Sequence, residues 1–219
     1  MERRIHEIVD TAATRARTTI YPRLSEVESQ VALTFDDCNS ADAWERILDI
    51  LGDGGLKATF FPSGPNVERL PELARRTVLA GHSVGSHGWS HRRLIGVAES
   101  EIAEELGRDL AAWARIDGVQ PTPYFRPPYG AYDANTLEAA AGSGFTRIIT
   151  WDVEPRDWTR PAAGRVAEHV ARSSRGGSFI VLHALEETAH ELPQILTALR
   201  DKQLQPCCLD DLFAGHVAR

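Results

Sequence analysis

Short apolar runs alternate with amphipathic stretches along most of the chain after Ser29. The runs are rich in β-branched, aromatic and aliphatic residues, a composition that predicts buried strands; they are Val31–Phe35, Ala58–Phe61, Ser83–Gly85, Tyr124–Arg126, Thr146–Thr150, Phe179–Leu182 and Gln205–Cys208. Between them, apolar residues recur at i, i+3 and i+4, which predicts helices over Ala41–Leu51, Val67–Ala80, Ala98–Ile116, Ala134–Ala141, Ala163–Arg172, Leu192–Arg200 and Leu209–Phe213.

This alternation predicts an α/β fold with parallel strands. Because the units repeat without a second distinctive region, we expect residues 29–219 to form one domain, a closed barrel, with an open doubly wound sheet as the alternative. Residues 1–28 form an N-terminal extension. Apolar residues at helical spacing from Ile5 to Ala13 predict a helix over residues 1–22, ending at Tyr21-Pro22.

Composition and charge exclude several classes of function. The chain has 219 residues, 42% of them hydrophobic, and a formal net charge of −7, which disfavours binding to nucleic acid. No apolar run approaches the roughly 20 residues of a transmembrane helix. The only lysines, Lys57 and Lys202, are poor candidates for Schiff-base chemistry. The chain also lacks the glycine-rich fingerprints of dinucleotide-binding and P-loop proteins.

The three cysteines, Cys38, Cys207 and Cys208, do not suggest a disulfide framework, because their number is odd and two are adjacent. The charged N-terminus lacks the apolar region of an export signal. Together these features predict a cytoplasmic protein, although a secreted protein trimmed of its signal would have the same sequence.

Polar residues follow the predicted strands at the edge where parallel barrels build their active sites. Asp36 and Asp37 end the first strand, either as a helix-capping pair or as paired functional carboxylates. His87 and His91 follow the third strand at i, i+4 spacing on a backbone rich in Gly and Ser. Two imidazoles and a carboxylate are a common site for zinc or a similar divalent ion.

Three further strand ends carry candidate chemistry. Arg126 opens a stiff Pro-Pro-Tyr-Gly turn, where it would hold a carboxylate or lie at the surface. Trp151 and Trp158 flank an acid-rich stretch that favours a sugar-binding surface, although Trp151 is equally suited to the core. His183 ends an apolar run and is either a proton carrier or a structural histidine.

In this order, the motifs resemble those of the polysaccharide deacetylases, the NodB-like carbohydrate esterases of family four. The resemblance runs from about Val31 to Phe213 and rests on Thr34-Phe35-Asp36-Asp37, His87 to His91, Arg126-Pro127-Pro128-Tyr129-Gly130, Asp157-Trp158 and Leu182-His183. It implies a single distorted (β/α)7 barrel. It also implies a metal-dependent hydrolase that removes N-acetyl groups from amino sugars of a glycan, such as chitin oligomers or peptidoglycan.

The resemblance implies one divalent metal ion, bound by Asp37, His87 and His91. Two histidines and one carboxylate suit zinc first, with cobalt, nickel and manganese as alternatives. By the same resemblance, Asp36 is the general base and is held by Arg126. His183 is the general acid and is oriented by Asp157.

Substrate contacts are implied at three further positions. Tyr129 would offer its backbone N–H to the oxyanion, while Trp158 and Leu182 would wall the pocket for the acetyl methyl group. The chain departs from the usual family pattern at Cys38-Asn39, Gly88 and Ala184. Two alternatives stay open: the same machinery acting on a small intracellular N-acyl compound, and a carbohydrate-binding protein without catalysis. The oligomeric state is open as well.

Overall fold

The computed structural model describes residues 18–25, 27–116, 119 and 123–217. The strands are β1 Thr19–Tyr21, β2 Gln30–Asp37, β3 Thr59–Pro62, β4 Ser83–Val84, β5 Tyr124–Phe125, β6 Arg147–Ile149, β7 Phe179–His183 and β8 Gln205–Cys207. The helices are α1 Ala41–Asp53, α2 Gly64–Arg69, α3 Pro71–Leu79, α4 Glu99–Trp113, α5 Ala134–Gly142, α6 Arg165–Ser173, α7 Glu186–Asp201 and α8 Leu209–Val217. None of the helices in the described residues is long and apolar enough to cross a membrane.

All seven predicted strands are confirmed, and so is the alternation with helices. The helix predicted over Val67–Ala80 is instead two helices, α2 and α3. They meet at Leu70, whose backbone (φ −127°, ψ 53°) is not helical. Pro71 explains the break, since its ring disfavours helical geometry at the preceding residue. The helix predicted over Leu192–Arg200 is the C-terminal part of α7, which begins at Glu186.

The strands form a distorted (β/α)7 barrel, as predicted. One parallel sheet has the order β4-β3-β2-β7, with β8 paired to the start of β2, and the other has the order β1-β6-β5. Two isolated parallel bridges, Ser86 with Phe125 and Val153 with Ile180, join the sheets on either side. The carboxyl ends of β2, β3, β4, β5, β6 and β7 therefore converge at one end of the barrel.

The N-terminal extension contains a strand that the sequence pattern did not predict. Most of the helix expected over residues 1–22 lies outside the described residues, but Thr19–Tyr21 pairs parallel with Arg147–Ile149 of β6. Arg23 then bridges Ser178 at the start of β7. The extension thus links β6 and β7. Three residues are too few to show a strand periodicity.

The opposite end of the barrel is closed by α8. The carboxylate of Asp210 accepts hydrogen bonds from the hydroxyls of Ser83 (2.6 Å) and Tyr124 (2.8 Å). The backbone N–H of Leu209 donates to Oγ1 of Thr59 (2.8 Å). Because these partners lie at the amino ends of β3, β4 and β5, this helix satisfies the polar groups that the strands leave there.

Candidate active site

Asp36 lies at the end of β2 and is held by a buried arginine. Its Oδ1 is 2.6 Å from Nη1 of Arg126, and both side chains are almost completely buried. Nη1 of Arg126 also donates to Oγ1 of Thr34 (2.8 Å), and its guanidinium lies 4.3 Å from the ring centre of Phe61. Burial lowers the pKa of Arg126, and the charge of Asp36 opposes this effect. The arginine therefore fixes the orientation of this carboxylate.

Asp37, His87 and His91 bring three ligand atoms to one place, all within 4.8 Å of one another. Oδ1 of Asp37 is 3.1 Å from Nε2 of His91 and 3.5 Å from Nε2 of His87. Nδ1 of His87 donates to the carbonyl of Arg126 (2.7 Å), which leaves the Nε2 lone pair directed at Asp37. Burial lowers the pKa of His87, so the imidazole is neutral, as a metal ligand must be. This donor set fits a divalent cation.

The backbone around these ligands is unusual, because several non-glycine residues adopt left-handed conformations. They include Asp37 (φ 65°), Cys38 (φ 57°), His91 (φ 54°) and Tyr129 (φ 61°). Such residues each cost of order 1–3 kcal/mol and concentrate at functional sites, where the surrounding structure holds them in place.

The chain departs from the family pattern at the Cys38-Asn39 turn, and two residues of α2 hold this turn. Nδ2 of Asn66 donates to the carbonyl of Asp37 (2.9 Å) and to Oδ1 of Asn39 (2.6 Å). Nη2 of Arg69 donates to the carbonyl of Asn39 (2.6 Å). These bonds fix the turn beside Asp36 and Asp37 without the residues usual in the family.

His183 ends β7 and is paired with Asp157. Nδ1 of His183 is 2.8 Å from Oδ1 of Asp157, whose Oδ2 accepts from the backbone N–H of His183 (2.7 Å) and from Oγ1 of Thr188 (2.7 Å). Burial lowers the pKa of His183, but the hydrogen bond and charge of Asp157 outweigh it and raise the pKa to about 9. The imidazole is therefore protonated at neutral pH.

The three candidate ligands, Asp36 and His183 line a single cavity of about 390 Å³, and Arg126 and Asp157 are buried outside its lining. Nine of its lining residues come from the predicted strand ends: Asp36, Asp37, His87, His91, Tyr129, Trp151, Glu154, Trp158 and His183. The rings of Tyr129 and Trp158 are more than half exposed and form its rim. Sequence reasoning missed Arg93 and Val181. The guanidinium of Arg93 lies 4.9 Å from the ring centre of Tyr129.

Leu182 does not line this cavity, in contrast to the expectation from the resemblance. It is completely buried in the apolar core that includes Phe35 and Trp44. Side chains alternate along a strand, so Val181 and His183 reach the cavity and Leu182 lies on the other face of β7.

His82, which precedes the two candidate ligands in sequence, is a structural residue. Its Nδ1 accepts from the backbone N–H of Ala58 (3.1 Å), and burial lowers its pKa to about 4. It is therefore a neutral acceptor between β3 and β4.

The family model for polysaccharide deacetylase matches residues 24–148. This chain belongs to the polysaccharide deacetylase family. It is 32% identical to the peptidoglycan-N-acetylglucosamine deacetylase of Bacillus cereus, over 88% of this chain and 71% of that protein. It is 35% identical to the chitooligosaccharide deacetylase of a Bradyrhizobium strain, over 70% of this chain and 69% of that protein. The chain spans 41% of the length of the Listeria monocytogenes deacetylase PgdA, at 32% identity and with 88% of this chain covered.

The fold is similar to that of a solved structure from Bacillus anthracis, a mutant of a family-four carbohydrate esterase pseudoenzyme with restored enzymatic activity. The TM-score is 0.82 at 27% identity, and 89% of this chain and 71% of that chain are covered. Because the family fold also occurs in a pseudoenzyme, the fold alone does not establish activity, which depends on the site residues.

Proposed function

We propose that this protein is a metal-dependent hydrolase that removes N-acetyl groups from amino sugars of a glycan, releasing acetate and a free amine. One observation carries the proposal. The Asp37, His87 and His91 cluster shares a cavity with two ionisable groups, Asp36 and His183, each held by a buried partner. A general base and a protonated acid beside a metal site are the groups that amide hydrolysis needs.

Asp37, His87 and His91 would hold one divalent cation, with zinc as the first choice for two imidazoles and one carboxylate. When bound, the ion supplies polarisation of the acetyl carbonyl and a lowered pKa for the attacking water. Metal affinity should fall at acidic pH, because protons compete for the imidazoles.

The chain's own residues would move the protons. Asp36 takes a proton as the water oxygen bonds to the carbonyl carbon, and Arg126 keeps this carboxylate oriented. The backbone N–H of Tyr129 donates to the tetrahedral oxyanion, an interaction worth a few kcal/mol. His183 then gives its proton to the leaving nitrogen as the C–N bond breaks, with Asp157 holding the imidazole in position.

A glycan suits the surroundings of the cavity better than a small amide. Trp158 and Tyr129 present exposed rings on its rim, and flat aromatic faces pack against sugar rings. The named relatives act on peptidoglycan and on chitooligosaccharides. Trp158 would flank the sugar whose acetyl group reaches the metal site.

Acetate release tests the proposal. The metal-free protein, reloaded with Zn²⁺, would be assayed with N-acetylchitooligosaccharides, soluble peptidoglycan fragments and a small N-acetyl amine. We expect metal-dependent acetate release from at least one glycan, abolished by a chelator and restored by Zn²⁺. Release only from the small amine would contradict the glycan substrate, and metal binding with no release from any compound would contradict catalysis.

A further inference from the structure

The two histidines of the candidate metal site differ in how the protein holds them. His87 is buried, and its Nδ1 donates to the carbonyl of Arg126. The His91 side chain is 33% exposed and its backbone is left-handed. Within the described part of the chain, no hydrogen bond holds Nδ1 of His91 in the way that Arg126 holds His87. Asp37, 3.1 Å from Nε2, and the ring of Tyr129, whose centre is 4.8 Å away, contact the imidazole itself, so the further support of His91 comes from its neighbours in the chain.

Both neighbours of His91 are held by one carboxylate, that of Glu105 on α4. Its Oε2 accepts from the backbone N–H of Ser90 (2.7 Å) and its Oε1 from the Ser90 hydroxyl (2.7 Å). Nε of Arg92 lies 3.2 Å from the same Oε1. The Glu105 side chain is only 15% exposed, so solvent competes little with these charge-assisted bonds.

The loop that carries Ser90 is firmly packed against α4 and α2. Trp89, in the same loop, lies against Gly64, where an added Cβ would come within 2.4 Å of the ring. The guanidinium of Arg108 on α4 lies 4.2 Å from the ring centre of Trp89. The backbone N–H of Gly64 donates to the carbonyl of Gly88 (3.0 Å). Because α4 and α2 fix the loop around the ring, Glu105 presents its carboxylate to Ser90 from a rigid support.

We propose that Glu105 is a positioning residue of the metal centre, acting on His91 through Ser90 and Arg92. This inference rests on the proposed metal-dependent function. Loss of the contacts of Ser90 and Arg92 with Glu105 would leave all three ligands in the chain but would free the loop around His91. The affinity for the metal would then fall, because part of the binding free energy would be spent on ordering this loop.

The test is the zinc affinity of Glu105→Gln in the full chain, measured by competition with a chelator of known affinity. Glutamine keeps the size of the side chain but has one acceptor oxygen in place of two. We expect a 10- to 100-fold loss of affinity for Zn²⁺, typical of residues that orient metal ligands. The absorption spectrum of the Co²⁺-loaded variant should show altered coordination, and excess Zn²⁺ should restore acetate release.

Two further variants keep the outcome clear. Glu104→Gln makes the same charge change at an exposed position of α4, and it should bind Zn²⁺ as the wild type does. Ser90→Ala removes only the hydroxyl bond and should lose less affinity than Glu105→Gln; it also serves if Glu105→Gln does not fold. The melting temperatures of the metal-free proteins separate loss of folding from loss of affinity.

Equal Zn²⁺ affinity in the wild type, Ser90→Ala and Glu105→Gln would overturn the inference and leave the proposed function intact. A wild-type protein that does not bind Zn²⁺ would instead contradict the proposed function, and the inference with it.

Discussion

The two ends of the barrel differ in what surrounds their polar groups. At the carboxyl ends of the strands, Asp37 and His91 have left-handed backbones and face ionisable neighbours across a cavity. At the amino ends, α8 covers the barrel, and the hydroxyls of Ser83 and Tyr124 both donate to Asp210. At the cavity end, ligand atoms and a protonated imidazole face a cavity. At the closed end, the hydroxyls are hydrogen-bonded to a carboxylate.

This difference separates residues by what their loss should change. Substitutions at the cavity end should affect turnover, metal affinity or the pH profile more than stability, because those groups serve the reaction. Substitutions at the closed end should affect the free energy of unfolding and leave turnover unchanged, because residues at that end of a parallel barrel serve stability and not catalysis.

The largest effect is expected for Asp36→Asn at the cavity end. The amide oxygen still accepts from Arg126, but the side chain no longer takes a proton from water. Acetate release should fall by on the order of 10³-fold, the scale of a lost general base, while Zn²⁺ affinity stays near that of the wild type. Steady-state rates and chelator competition measure the two quantities. Turnover close to the wild-type value would remove Asp36 from the mechanism.

Asp157→Asn should change the pH dependence of the same reaction. Asp157 raises the pKa of His183 to about 9, and a general acid acts only while it is protonated, so activity is lost as pH rises through that pKa. Without the carboxylate the pKa falls, and the alkaline limb of kcat/KM should move to lower pH. The loss should therefore be larger at pH 8 than at pH 6. An alkaline limb at the wild-type position would show that His183 does not control it.

Much of this site could be predicted because its residues follow strands that the hydrophobic pattern identifies. Asp36 and His183 each come directly after an apolar run, His87 lies two residues beyond another predicted strand, and parallel strands bring such ends together. The pairing of Arg126 with Asp36 was predictable only from the family resemblance, because the position of Arg126, directly after β5 and before a stiff turn, also fits a surface arginine.

The remaining features depend on contacts between segments that are distant in sequence. Glu105 belongs to an ordinary amphipathic helix, and only the packing of α4 shows that it faces Ser90. The side of β7 on which Leu182 lies follows from strand register, which a family motif does not state. The pairing of β1 with β6 is likewise a tertiary contact without a local pattern.

Asp109 lies on α4, next to the segment that carries His87. Its substitution tests whether groups near the cavity end lower the stability of the fold. In the described structure both of its carboxylate oxygens are buried without a hydrogen-bond partner of good geometry. Burial raises its pKa to about 8, and the Ser86 hydroxyl opposes this only in part. The folded state therefore keeps a proton that the unfolded state releases above about pH 4, so this group makes stability fall as pH rises from about 4 to about 8.

Asp109→Asn removes that dependence. The variant should be more stable than the wild type by several kcal/mol at pH 8, with little difference near pH 4, because both side chains are neutral there. Urea unfolding at several pH values measures this change. A difference in stability that is the same at pH 4 and pH 8 would mean that Asp109 does not hold its proton in the folded state.

The smallest effect is expected at the closed end, for Asp210→Ala. The substitution leaves the hydroxyls of Ser83 and Tyr124 without their acceptor, and the free energy of unfolding should fall by about 1–2 kcal/mol; the value is modest because Asp210 itself is exposed. Asp211→Ala, next to it, is the matched control and should cost less, since among the described residues its side chain accepts from the Cys208 thiol alone. The kcat/KM of both variants should equal that of the wild type below their unfolding temperatures. A loss of turnover in folded Asp210→Ala would show that the two ends of the barrel are coupled, because no residue of the cavity contacts Asp210 in the described hydrogen-bond network.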